Sequence, residues 1–162
     1  MEDERSNRKL ASAAAYIGAF LFVVLLVLFS SVHQIVIIAL VSVAFHLILL
    51  PVVAELPAPE WGRAAGYGWL VIDIALNVAG LNGVDLQMLM SLRLGAHVVA
   101  AVWIITSSLR CSLPVRTVGI LQGICFAGYS LLAPWVPSWG LYPSAVLLVI
   151  WLFLAGRMLG KS

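Results

Sequence analysis

Six long apolar runs occupy almost the whole chain, and lysine and arginine are placed around them unevenly. About 20 apolar residues wound as a helix cross the hydrocarbon core of a bilayer. The runs lie at 10–30, 34–54, 66–82, 87–108, 115–133 and 140–159. They are continuously apolar, whereas strands of a membrane barrel alternate in polarity, so helices are the expected spanning elements. The chain is 63% hydrophobic and 10% charged, far from the roughly 45–50% apolar and about 25% charged residues of a soluble domain. The expected fold is all-α, a polytopic transmembrane bundle of six helices forming a single integral membrane domain over residues 1–162.

Charge placement sets the expected orientation. Arg5, Arg8 and Lys9 precede the first run, and Arg63 lies between the second and third. Arg110 and Arg116 flank the turn after the fourth, and Arg157 and Lys161 follow or end the sixth. The connections at 31–33, 83–86 and 134–139 hold no lysine or arginine. Loops rich in Lys and Arg stay in the cytoplasm, which predicts both termini inside (N-in/C-in) in a plasma or inner membrane. Arg93 is the exception, inside a run. The basic residues are dispersed and form no stripe suited to nucleic acid, so the lipid bilayer is the expected partner. Residues 1–9 mix three acids with three bases and read as a solvated tail. The first run is long for a signal peptide and no small-residue cleavage site follows it, so it is expected to remain as a helix.

Cys111 sits at the expected cytoplasmic edge and Cys125 about 15 Å deeper, too far apart for a disulfide. No cysteine spacing suggests a metal. The connection at 55–65 carries Pro57 and Pro59 and is expected to be extended. Trp61, Tyr67 and Trp69 suit an aromatic belt on the inner side, and Trp135, Trp139 and Tyr142 one on the outer side. The proline-rich outer segment 134–143 reads as an interfacial turn, or as a lid over an outward-facing cavity.

Small residues recur at helical spacing. Ala11, Ala15 and Ala19 share one face of the first run, and Gly119, Gly123 and Ala127 one face of the fifth. Such faces let backbones approach closely, either within the bundle or against other membrane subunits. In its six short helices and alanine-spaced first helix, the chain is similar to the vitamin-binding subunits of certain bacterial importers. An inverted three-plus-three repeat is compatible with the topology, but the halves share no convincing residue match.

The chemically pointed residues lie inside the runs. Ionisable groups there are expensive and mark function by default. Four are present, His46, Asp73, Arg93 and His97, joined by the polar Asn77 and Gln122. Counting from the expected outer boundary, Asn77 lies at roughly 7 Å, Arg93 at roughly 9 Å, Asp73 and His97 at roughly 14 Å and His46 at roughly 18 Å. Asp73 with Asn77, and Arg93 with His97, are four apart and stack on shared helix faces. A short turn makes their helices antiparallel neighbours, so Asp73 is expected to meet His97 and Asn77 to meet Arg93, with the guanidinium also within reach of Asp73. Ala39, Ser42 and His46 form a similar stripe, as do Gly119, Gln122 and Tyr129.

An aspartate beside a histidine in low dielectric holds or passes a proton, and Arg93 fixes an anion or neutralises Asp73. The candidate ligand- or proton-handling set is therefore Asp73, His97, Arg93, Asn77 and His46. The leading expectation is small-solute or proton binding or transport. The alternative is an accessory or assembly subunit of a larger membrane complex, with a purely structural ion pair. A third is electron transfer through a b-type haem held by His46 and His97. No cofactor and no metal are otherwise expected. No catalytic set is expected either: no Gly-x-Ser setting, paired mid-membrane aspartates or His-Glu-x-x-His motif occurs.

Overall fold

The computed structural model describes residues 2–31 and 35–161. The His33 loop and the expected start of the second run at Gln34 lie outside the described residues. The elements are α1 (Glu2–Ser31), α2 (Ile35–Ile48), α3 (Leu50–Glu55), α4 (Glu60–Leu81), α5 (Leu86–Ser108), α6 (Leu113–Leu132), a 3-10 turn (Ser138–Leu141) and α7 (Tyr142–Leu159). The described residues contain no strand. Six helical segments are long and apolar enough to cross a membrane, α2 and α3 together making one of them.

Several boundaries differ from the sequence reading. Residues 2–9 continue α1 instead of forming a separate tail, and over 3–9 the helix is exposed apart from the half-buried Arg8. The bundle nucleates α1, and adding turns to an existing helix costs far less than starting one. The second segment breaks at Leu49, whose N–H bonds the His46 carbonyl at 3.3 Å. Pro51 stands in the first turn of α3, where its missing N–H costs nothing but forbids an unbroken helix. The extended connection is shorter than expected, because Pro59 caps α4 in an extended conformation and Glu60 is already helical. Asp85 starts α5 by accepting the Met88 N–H at 3.0 Å. In the turn before it, Gly83 has φ 83°, which a side chain would strain.

The helices close a ring: α1 packs on α2, α2 on α4, α4 on α5, α5 on α6, α6 on α7 and α7 on α1. Three buried indoles help to fill its middle. Trp69 stacks on Trp103 at 5.8 Å between centroids, and Trp151 meets Trp103 edge-on at 5.3 Å. The Trp151 N–H donates to Ser108 Oγ at 2.9 Å. Trp69 is thus in the core, 2% exposed, and not in an interfacial belt. Trp61, Trp135, Trp139 and Tyr142 are exposed.

Both small-residue faces are covered inside the chain. Ala11, Ala15 and Ala19 are buried, and Gly156 of α7 sits so close that a methyl group there would lie 3.2 Å from Ala15 Cβ. Ser12 Oγ donates to the Gly156 carbonyl at 2.7 Å. A side chain at Gly119 would strike Ser108 and Trp151, and one at Gly123 would strike Ile105. Ala127 is half-buried.

Candidate functional site

The site is built on one face of α4. Trp69, Asp73 and Asn77 recur every four residues, so they rise in a column toward the α4–α5 turn. The helices α2 and α5 flank α4 and close on this column from either side. Asp73 is 3% exposed. Its carboxylate faces three nitrogens: Arg93 Nε at 3.2 Å on Oδ1, and His46 Nε2 at 3.3 Å and Trp69 Nε1 at 2.6 Å on Oδ2. One turn along, Arg93 Nη2 donates to Asn77 Oδ1 at 3.3 Å. Asn77 Nδ2 in turn donates to Ser42 Oγ at 3.0 Å and to the Asp73 carbonyl at 2.7 Å. Three helices are thereby tied into one network. Every member carries a polar group, and all but the half-buried Arg93 are buried, the condition under which such networks are rigid.

The expected pairing of Asp73 with Arg93, and of Arg93 with Asn77, is present. The expected pairing of Asp73 with His97 is replaced by one with His46. His97 stacks on Phe126 of α6 with centroids 4.2 Å apart and planes 23° apart, and its Nδ1 is buried without a hydrogen-bond partner. The reason is rotational. Four residues advance a helix by about 40° beyond one full turn, so Arg93 faces α4 while His97 is turned toward α6. Gln122 of α6 is also buried; its Oε1 accepts from Ser144 at 3.1 Å and its Nε2 has no partner. Trp69 was missed as a partner of Asp73. The usable signal was its place one turn before the aspartate on the same face, which outweighs its nearness to the inner boundary.

The surroundings of His46 constrain its protons. Nδ1 lies 2.7 Å from the Ser42 carbonyl, and Nε2 faces the Asp73 carboxylate. A neutral imidazole has one N–H, but both oxygens are acceptors. Satisfying both contacts takes one more proton, carried on Nε2 as an imidazolium or on Asp73 as a carboxylic acid. Either arrangement makes the His46–Asp73 pair neutral with a shared proton between its members. Counted with Arg93, the cluster carries one positive charge.

This geometry does not fit a haem on His46. Both ring nitrogens are engaged, leaving no lone pair for iron.

A cavity of about 200 Å³ lies beside the cluster at the end of the bundle that holds the α4–α5 turn. Asn77 and Arg93 form its polar wall, and Ala39, Leu76, Gly80 and Leu89 are among the residues that line the rest. Neither Asp73 nor His97 lines it. Arg93 therefore stands between the cavity and the buried carboxylate.

In comparisons with known proteins, no family model matches the chain, and neither a curated protein nor a solved structure matches it.

Proposed function

We propose that the chain is an integral membrane protein with both termini in the cytoplasm, and that its Asp73 cluster handles a proton or a small solute in transport across that membrane. The carrying observation is the His46–Asp73 contact, which takes a shared proton to satisfy, beside an arginine that reaches a cavity. Support for the orientation comes from the eight of nine basic residues placed on one side by the positive-inside count. Ionisable side chains within apolar helices commonly mark proton and ion pathways. Arg93 links the cavity to Asp73, so a charge arriving at one is felt at the other.

The test is proton flux in proteoliposomes under an imposed pH gradient. Wild-type protein is expected to dissipate the gradient, and Asp73→Asn to slow it at least about tenfold while remaining inserted, the scale at which a positioned acid or base contributes. Equal flux in the two proteins would contradict the proton reading. A structural reading, an assembly subunit held in register by its ion pair, is favoured by the near-complete enclosure of Asp73. It predicts a fall in stability in Asp73→Asn with no activity to lose.

A further inference from the structure

The donors of Arg93 are only partly used. Nε reaches Asp73 and Nη2 reaches Asn77, while Nη1 makes no hydrogen bond to any described residue. A guanidinium has five N–H groups in a planar fork, so three of them remain available on the side chain that lines the cavity. The Arg93 side chain is 23% exposed, whereas that of Asp73 is 4%. The cavity thus presents the positive half of the pair and hides the negative half. With one proton between His46 and Asp73, the cluster would carry one positive charge in excess. Beyond Asn77 and Arg93 the walls are apolar: Leu76 and Leu89 are buried and Ile38 half-buried, and the exposed Phe29, Ile35, Leu86 and Met90 border the mouth.

From this we infer that the cavity takes a small carboxylate bearing an apolar group. The free N–H fork of Arg93 receives the carboxylate, and Ile38, Leu76 and Leu89 receive the apolar part. The guanidinium fork matches a carboxylate in shape as well as charge, which a point charge does not. A cation of the same size meets the exposed face of Arg93 and is repelled. A neutral alcohol of the same size gains the walls but loses the charge-assisted bonds, each worth roughly ten- to a hundredfold in affinity. The binding half of the proposed function underlies this inference; proton flux is measured separately.

Isothermal titration calorimetry of the purified full-length protein in detergent tests it with four probes: hexanoate, benzoate, hexylamine and hexanol. Hexanoate and benzoate are expected to bind, hexanol at least about tenfold more weakly, and hexylamine not at all. The double variant Asp73→Asn with Arg93→Gln removes both charges together and so leaves neither stranded. It is expected to lose the carboxylate preference, and Met90→Trp to weaken all binding by narrowing the mouth while leaving the charges in place. Hexylamine binding as tightly as hexanoate, or carboxylate binding surviving in the double variant, would overturn the inference. Binding of none of the probes by a protein that still conducts protons would also overturn it, with the proton reading intact.

Discussion

Two seams of the ring are built on opposite principles. Where α1 meets α7, small residues bring the backbones together, and a short hydrogen bond runs from Ser12 to Gly156. Where α4 meets α2 and α5, a carboxylate, a guanidinium, an imidazole, an indole and an amide hold the helices through directed bonds. The first seam shows that this chain can join helices without charge. The second uses buried charge, which for adhesion alone is often no better than apolar packing of the same volume; the proposed handling of a proton or solute would account for it.

The largest expected effect comes from stranding a charge in the polar seam. Asp73→Asn leaves the Arg93 guanidinium without its carboxylate and is expected to destabilise the protein by about 3–5 kcal/mol. The double variant Asp73→Asn with Arg93→Gln is expected to be more stable than Asp73→Asn alone, as read by thermal unfolding in detergent. Additive losses would show that the pair is not coupled and would erase the contrast between the seams.

A smaller effect is expected from overpacking the close seams. Gly156→Leu forces α7 off Ala15 and Ser12, and Gly123→Leu forces α6 off Ile105 and the Ala101 carbonyl. Each is expected to lower stability by about 1–3 kcal/mol. Ile124→Leu, on the neighbouring exposed position of α6, is the matched control and is expected to be silent. Equal tolerance at Gly123 and Ile124 would mean that close approach is not what joins these helices.

The smallest change is a labelling pattern that asks which end of the polar seam faces outward. Val84→Cys, in the α4–α5 turn, is expected to react with an impermeant thiol reagent from outside the cell only. Val84 suits this better than Gly83, whose positive φ would strain a cysteine. The native Cys111 is expected to stay silent at pH 8. It is buried, its thiol is held against the Ser107 carbonyl at 3.2 Å, and burial pushes its pKa up to about 11, so little of the reactive thiolate forms. Labelling at Val84→Cys from inside only would reverse the proposed orientation.

Much of this was legible from spacing alone. The six apolar runs, the antiparallel α4–α5 hairpin and the Asp73–Arg93 pairing follow from length, a short turn and matching depth. The partner of Asp73 among the histidines did not. His46 and His97 lie at similar depths, and one-dimensional spacing does not say which helix closes the ring on the other side of α4. That is set by α2 packing on α4, a contact between helices that the α2–α3 break and an extended connection separate. Trp69 was misplaced for a related reason: distance from the inner boundary suggested a belt, while the face it shares with Asp73 and its packing on Trp103 bury it.

Nitrogen-15 and carbon-13 NMR of the selectively labelled protein in bilayers reads the proton between His46 and Asp73 itself. A proton is expected on His46 Nδ1 toward the Ser42 carbonyl, and a second one either on Nε2 or on the Asp73 carboxyl. An imidazole carrying a single proton beside a fully ionised Asp73 would contradict it.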